Sequence, residues 1–322
     1  MRYEISGQLR LTLYMSKNTL SIFLLLVLSV IWGSSFILMK RGMISTDGHT
    51  IFSDAQVGAL RMLLAALVLV PFTILALKKI KTIADFISLS IVGLCGNFIP
   101  AFLFTYAETE LSSGYAGMLN SFTPIFTLII GGAIFKQKLT PPQFIGVLIA
   151  FVGMVLLMTA GNSIGDQAAW KCIMAIILAT FLYAVSLNTI KYRVSHFSSV
   201  DITALAFGIL LIPSIIANLS LNTYDVFQTN THAWEGFGYI LVLSVVGTAF
   251  AVIIFNRVIA MSSTLFASSV TYFIPIVAVL FGAVNGETIN NKQIGSMIIV
   301  LIGVFVANYW HLIFHSTKEK TR

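Results

Sequence analysis

The stretch Ala116–Phe135, AGMLNSFTPIFTLIIGGAIF, indicates how this chain folds. It is long and apolar enough to cross a lipid bilayer as a helix. Pro124 interrupts it, because proline has no N–H to donate to the carbonyl four residues earlier, here that of Asn120. An unpaired backbone group in a bilayer is tolerated only against protein or a water-filled cavity. The stretch therefore predicts a broken membrane helix that borders such a cavity.

A second stretch of this kind surrounds Pro275, 151 positions after Pro124. Here the proline frees the carbonyl of Thr271, and Tyr272 follows. Two broken, polar-marked spans in matching places are typical of transporters built from internal repeats, whose binding site lies near the breaks. We therefore predict that Pro124 and Pro275 are hinges. The polar residues predicted to line a substrate cavity between them are Asn120, Thr123, Thr271 and Tyr272. The alternative is that the prolines only kink their helices and the polar side chains bond neighbouring helices.

The composition excludes an ordinary soluble domain. The chain has 322 residues, of which 57% are hydrophobic and 10% charged, whereas soluble domains carry about 25% charged residues. The net charge of +7 could indicate nucleic-acid binding. Most Lys and Arg residues, however, lie in short loops between apolar runs, which favours membrane orientation and no nucleic-acid partner.

Ten apolar segments are predicted to span the membrane. They run roughly over 20–40, 55–77, 83–105, 113–135, 142–159, 168–190, 200–219, 237–257, 262–285 and 291–314. The first is longer than the core of a cleaved signal peptide and no A-x-A site follows it, so we expect it to be retained. Lys and Arg concentrate in the loops on the side of the N-terminus, which places both termini in the cytoplasm.

The sequence repeats itself at the offset of 151. The offset pairs Trp32 with Tyr183, Ser35 with Ser186, Lys40 with Lys191, Gly96 with Gly247, Phe104 with Phe255 and Gly131 with Gly282. Each repeat holds five helices, so the second enters the membrane from the opposite side. The predicted fold is thus an all-α integral membrane protein of ten transmembrane helices in two inverted five-helix repeats. The repeats are 20–160 and 166–315, between a cytoplasmic N-terminal segment, 1–19, and a cytoplasmic C-terminal tail, 316–322.

Several polar groups inside the spans are candidates for binding substrate. Trp32 and Tyr183 lie mid-span, away from the interfaces where such rings usually anchor, and Asn97 and Asn188 are mid-span amides. Helix packing is the alternative for all four. The predicted substrate-binding residues are Trp32, Ser35, Arg61, Asn97, Asn120, Thr123, Tyr183, Asn188, Thr271 and Tyr272.

Arg61 is the one arginine well inside a span. It could bind a carboxylate or phosphate of a substrate, or its side chain could extend to the membrane surface toward Asp54. No Asp or Glu lies mid-span; Glu108 and Glu110 come at the end of the third span. Proton-driven transporters commonly use buried carboxylates. Their absence favours facilitated diffusion or exchange, or coupling through groups at the loop edges.

No motif of a metal site, a phosphate-binding glycine loop or a hydrolase nucleophile occurs in the sequence. We therefore expect neither enzyme activity nor a cofactor or metal. The expected partners are a small-molecule substrate and the lipid bilayer, and a homodimer is left open.

The residues resemble a known family. Leu28–Phe36, LSVIWGSSF, is similar to the opening helix of EamA-type transporters of the drug/metabolite transporter superfamily, and Arg61–Ala66 is similar to their second helix. Pro124, Gln143–Gly146 and their second copies, around Pro275 and Gln293–Gly295, continue the resemblance over nearly the whole chain after about residue 20. It implies a ten-helix carrier of the bacterial inner membrane that exports amino acids or other small metabolites.

The chain departs from that family at one position. The family usually carries Gly-Glu after the fourth helix of each half; here Gly286-Glu287 stands in the second half and Lys136-Gln137 in the first. A charge role at this position is therefore expected in the second half only. The alternative class is a pore or channel, but nothing in the sequence resembles a filter of repeated polar groups. No loop is large enough to suggest a receptor or scaffold.

Overall fold

A computed structural model describes residues 2–137, 140–160, 167–262 and 264–315 and builds them mainly from helices. The predicted C-terminal tail, 316–322, lies outside the described residues. The helices are α1 (Arg2–Met43), α2 (Asp54–Ala76), α3 (Ile83–Gly93), α4 (Ile99–Ala107), α5 (Ser113–Leu119), α6 (Thr123–Ala133), α7 (Pro141–Ala160), α8 (Gln167–Tyr192), α9 (Ser199–Ser220), α10 (Thr223–Thr229), α11 (Ala233–Ser244), α12 (Ala251–Met261), α13 (Thr264–Ser268), α14 (Ile274–Val284) and α15 (Asn291–His315).

These helices form ten transmembrane segments, here called rods because some of them, such as Ile83–Ala107, combine two successive α-helices. Nine stretches of the described chain are long and apolar enough to cross a bilayer, from Thr19–Met43 to Phe266–Val284. The tenth is α15, whose apolar part is Asn291–Ala307. The prediction of an all-α, ten-helix membrane fold is confirmed. The bounds differ from the predicted ones by a few residues. The 1–19 segment is already helical from Arg2, as the first part of α1.

Local capping explains where several helices begin. The Ser53 hydroxyl accepts a hydrogen bond from the backbone N–H of Gln56, and the Gln56 side chain accepts one from the N–H of Ser53. Asn290 and Gln293 make the same exchange before α15. These pairs satisfy backbone donors that a helix start leaves free, and they fix where the chain enters the membrane.

Irregular helical segments recur at the repeat offset. The third rod changes from α-helix to π-helix at Leu94–Phe98, and the eighth rod does so at Val245–Phe250. The fourth and ninth rods each contain a 3₁₀ turn before their proline, Asn120–Phe122 and Ser269–Tyr272. Both halves therefore deviate from the α-helix at matching depths, as an inverted repeat requires. Such π segments occur frequently at functional sites.

The carbonyls four residues before the two prolines do have hydrogen-bond partners, so the prediction that they are unpaired is wrong. The Asn120 carbonyl accepts hydrogen bonds from the Thr123 backbone N–H and from its hydroxyl, the latter at 3.0 Å. The Thr271 carbonyl accepts one from the Ser121 hydroxyl at 3.1 Å. The second bond joins the two breaks across the repeat interface. In a bilayer a polar group that loses its helical partner is satisfied by the nearest protein donor.

Each half supplies one helix that packs mainly on the other half. Helix α1 of the first half contacts α11, α12 and α14 of the second. Helix α8 of the second half contacts α3, α4 and α6 of the first. The halves therefore enclose the space between them. We call the end where α1 stops at Met43 and α15 starts at Asn291 the Glu287 end. The end where α8 stops at Tyr192 and α7 starts at Pro141 is the Gln137 end.

Candidate functional site in the cavity between the repeats

A cavity of about 120 Å³ lies between the two halves. It is bordered by α1, α2, α8, α12, the two π segments and the two 3₁₀ turns. Eight of the predicted site residues line it: Trp32, Ser35, Arg61, Asn97, Asn120, Thr123, Tyr183 and Thr271. Polar and aromatic lining residues absent from that prediction are Phe36, Phe104, Ser186, Thr248, Phe255, Asn256 and Ser268.

Two predicted site residues do not line the cavity. Asn188 is buried and donates to the carbonyls of Thr127 at 3.1 Å and Ala184 at 2.9 Å, so it ties α8 to α6. Tyr272 packs against the apolar core. Asn188 here makes the bond between helices that was the alternative to a substrate contact.

The aromatic wall of the cavity follows the repeat. Trp32 meets Phe255 edge to face, with ring centroids 4.9 Å apart, and Tyr183 stacks on Phe104 at 5.8 Å. In each pair the two rings come from different halves. The Trp32 indole N–H also donates to the Gly247 carbonyl, at 3.0 Å, within the second π segment. The rings thus offer an apolar surface while the indole N–H is already satisfied.

Two glycines in the π segments allow the halves to approach closely. A Cβ on Gly96 would collide with the Ser186 hydroxyl, and a Cβ on Gly247 would lie 3.0 Å from the Ser35 hydroxyl. Each contact again joins the glycine of one half to the serine of the other. Both serines therefore lie against bare backbone at the cavity wall.

Arg61 reaches the cavity from α2. Its Nε donates to the Thr248 hydroxyl at 2.8 Å, and Nη1 lies 3.6 Å from the Met39 sulfur. Among the described residues no carboxylate lies within salt-bridge distance of Arg61, Asp54 included. A guanidinium has five N–H donors. Neutral contacts therefore hold a cation at the wall of a largely apolar cavity.

The repeat offset is the sequence signal that could have found four of the missed residues. Applied to Ser35 it gives Ser186, and applied to Asn97 it gives Thr248, the partner of Arg61. Phe104 and Phe255 are themselves a matched pair. Asn256 is buried and donates to the Thr203 hydroxyl at 2.9 Å, and no sequence feature distinguishes it from other amides.

Glu287 closes one end of the bundle. Its carboxylate accepts from the Lys40 ammonium at 2.8 Å and from the backbone N–H groups of Ser113 and Gly114 at 3.1 and 3.2 Å. We call these contacts the Glu287 closure; they join α1 and α5 to the loop after α14. Burial alone would raise the pKa of the Glu287 carboxyl, but the bonds from Lys40, Ser113 and Gly114 hold this pKa below its ordinary value.

The turn at the other end bonds back to the matching glycine, but it is one residue longer and its chemistry differs. The Gln137 N–H donates to the Gly131 carbonyl at 3.0 Å, as the Glu287 N–H does to the Gly282 carbonyl at 2.9 Å. The Gln137 amide oxygen lies 3.4 Å from the Tyr192 hydroxyl. The Lys191 ammonium donates to the Ser262 carbonyl at 2.9 Å. The first-half copy of the closure is therefore built from neutral acceptors.

Among the described residues no group of His, Cys, Asp and Glu is arranged to hold a metal ion. The cavity holds one cation, aromatic rings and hydroxyl and amide groups. This arrangement can bind a small solute that carries a negative charge and some apolar surface.

Comparisons with known proteins agree with this architecture. A family model described as "EamA-like transporter family" matches residues 19–159 and 170–309. The "Uncharacterized inner membrane transporter YedA" of Escherichia coli K12 is 26% identical, with 88% of this chain and 90% of that protein covered. A "Probable amino-acid metabolite efflux pump" of Salmonella typhimurium is 23% identical, with 88% and 93% covered. A crystal structure 14% identical in sequence covers 91% of this chain and 97% of its own, with a TM-score of 0.62, and supports the fold alone.

Proposed function

Because the chain belongs to the EamA-like transporter family, and is thus a membrane transporter and not an enzyme, we propose that it exports small metabolites that carry a carboxylate. Amino acids are the first candidates. The proposed mechanism is alternating access, in which the cavity opens in turn at the Glu287 end and at the Gln137 end.

The observation that carries the proposal is the state of Arg61. Its guanidinium lines the cavity, bonds the Thr248 hydroxyl and the Met39 sulfur, and among the described residues has no carboxylate within salt-bridge distance. A cation removed from bulk water is costly unless it is paired. A substrate carboxylate can accept two parallel N–H bonds from a guanidinium and supply that missing charge. Arg61 is therefore the proposed anion-binding group.

The remaining wall favours an amphipathic solute. The rings of Trp32, Phe104, Tyr183 and Phe255 offer apolar contact. The cavity volume of about 120 Å³ suits a metabolite of amino-acid size. Asn97, Asn120, Thr123 and Thr271 supply hydrogen-bonding groups for the polar part of the solute.

The proposed conformational change uses the breaks in the helices. The 3₁₀ turns before Pro124 and Pro275 lie at the cavity, and the Ser121–Thr271 bond joins them. A helix that lacks regular bonds at such a point bends there more easily. Pro124 and Pro275 are thus the proposed hinges. Movement of α1 and α8 against the opposite half would open one end while the other stays closed.

The proposed location is the bacterial inner membrane, with both termini in the cytoplasm. The orientation rests on the excess of Lys and Arg in the loops at the N-terminal side. The location and the direction of export rest on the names of the relatives in E. coli and Salmonella. In this orientation the Glu287 end faces the periplasm. The proposed repeat units are 20–160 and 166–315, and a homodimer is a further proposal.

The test is transport into proteoliposomes from a pool of amino acids and other small metabolites, read by mass spectrometry. We expect saturable entry of carboxylate-bearing solutes. Arg61→Gln should weaken their apparent affinity about ten- to a hundredfold, as expected when a charged hydrogen-bond partner is lost. Arg193→Gln is the matched control, because Arg193 is exposed and lies outside the cavity. Non-saturable entry that depends on solute size alone would favour the pore, and unchanged affinity in Arg61→Gln would remove Arg61 from the site.

A further inference from the structure

Glu108 is a buried carboxyl that the proposed transport site does not use. It follows the last residue of α4, and only 3% of its surface is exposed. Both carboxyl oxygens are buried and have no hydrogen-bond partner among the described residues. Glu110, two residues later, is exposed. In the sequence both lie at the end of the third span, and nothing there distinguishes one from the other.

An ionised carboxylate does not fit this position as it stands. A charge removed from water needs a partner and hydrogen bonds, and Glu108 has neither within bonding distance. Burial raises the pKa of the Glu108 carboxyl well above its ordinary range. The protonated form therefore suits the closed arrangement described above.

Charged groups from three elements act on Glu108. Lys40 of α1 and Arg61 of α2 favour its ionised form, and Glu287, in the loop after α14, opposes it. Lys40 is already paired with Glu287 at 2.8 Å. At the Glu287 end the positive charge of Lys40 therefore acts on two carboxyls, those of Glu108 and Glu287. Phe104, one helical turn before Glu108, lines the cavity, so Glu108 lies between the cavity and the closure.

We propose that Glu108 is a proton-binding site, and that it takes up a proton when the Glu287 end closes and releases it when this end opens. This proposal deepens the proposed function, on which its role in transport rests. In the closed form Glu108 is protonated and uncharged, so it does not compete with Glu287 for the ion pair with Lys40. Once the end opens, water reaches Glu108 and its proton moves to water. The resulting carboxylate then competes with Glu287 for Lys40 and opposes closure.

The expected direction of the pH effect follows from this cycle. The closed form binds one proton more than the open form, so acid favours closure and alkali favours opening of the Glu287 end. Movement through the transport cycle is thereby linked to the pH on that side. Of the alternatives that the sequence leaves open, this proton site favours coupling through groups at the loop edges over facilitated diffusion or exchange.

Infrared difference spectroscopy on the purified protein tests the proton site directly. We expect a protonated-carboxyl band that disappears on raising the pH, that is absent in Glu108→Gln, and that is retained in Glu110→Gln. A band that persists unchanged in Glu108→Gln overturns the proposal. The measurement needs no substrate.

Cysteine labelling tests the link to closure. Ser113→Cys places a thiol at a fully buried position beside Glu287, and Thr109→Cys places one at an exposed position in the loop just before α5. Both are made in a background with Cys95→Ala and Cys172→Ala. The ratio of their labelling rates cancels the intrinsic pH dependence of thiol reactivity.

We expect this ratio to rise with pH, by as much as about tenfold per pH unit while Glu108 remains mostly protonated. It should stay low and flat with Glu108→Gln and keep its slope with Glu110→Gln. A slope that survives Glu108→Gln overturns the link. Failure of the transport test with the pH-dependent ratio intact would reject the proposed function and keep the proton site. The opposite result would reject the proton site alone.

Discussion

The two ends of the bundle carry similar turns, one residue different in length, with different chemistry. After the fourth rod of each half the chain turns back, and the turn residue donates its N–H to a glycine carbonyl, Gly131 or Gly282. At one end this residue is Glu287, paired with Lys40. At the other it is Gln137, next to Tyr192, while Lys191 bonds a backbone carbonyl. The repeat therefore keeps the bond back to the glycine, while the strength of closure depends on single side chains.

This difference indicates that the two halves are joined less firmly at the Gln137 end, where the charged bond from Lys191 to the Ser262 carbonyl lies within the second half. Hydrogen bonds that involve a charge are worth about 1.5–3 kcal/mol, and neutral ones about 0.5–1.5 kcal/mol. The Glu287 end has one carboxylate that accepts from Lys40, Ser113 and Gly114. In the proposed alternating access both ends open in turn, and we expect the opening of the Glu287 closure to limit the rate.

The largest effect is expected from removing the charged closure. Glu287→Ala leaves Lys40 without its carboxylate and two N–H groups without acceptors. We expect the Ser113→Cys reporter to label at least about tenfold faster in this variant. Gln137→Ala is the matched change at the other end and should leave that labelling within about twofold. Equal labelling in the two variants would contradict the assignment of the stronger closure to the Glu287 end.

A pH titration should separate the two ends further. The pKa of Glu287 is lowered in the folded protein, so its contribution to stability is complete above the ordinary pKa of 4.5. It is lost as the pH falls through the lowered value. In detergent we therefore expect the thermal midpoint of the wild type to fall in acid more steeply than that of Glu287→Gln. Gln137 carries no titratable group, so Gln137→Ala should follow the wild-type profile, and parallel profiles for all three proteins would contradict this.

The smallest effect concerns the backbone of the two turns. Gly286 has φ of 81° and Lys136, its counterpart, has φ of 54°. Side-chain-bearing residues lose about 1–2 kcal/mol in this left-handed region. Lys136→Gly should therefore raise the free energy of unfolding by up to about 1 kcal/mol, and Gly286→Ala should lower it by a similar amount. Thermal unfolding measures both, and destabilisation by Lys136→Gly would show that its side chain contributes more than its backbone costs.

Much of the architecture was predictable because the membrane limits what the chain can do. Apolar length fixed the number of rods, and the matched prolines located the breaks at which the cavity lies. The rings of Trp32 and Tyr183 were placed at the cavity wall for the same reason. Asn188 and Tyr272 were predicted to line the cavity as well, but they do not. Position along a span alone does not show which way a side chain faces.

The sequence by itself determined that the chain lies in a membrane, that it has ten spans in two repeats, and at what depth the helices break. Hydropathy and repeat offset are properties of the linear chain. Only the tertiary structure decided which groups meet. It brought Arg61 to Thr248 rather than to Asp54, gave the Thr271 carbonyl a donor in Ser121, and buried Glu108 while leaving Glu110 exposed. The physical reason is that the partners and the hydration of a polar group depend on helices distant in sequence, which packing alone brings together.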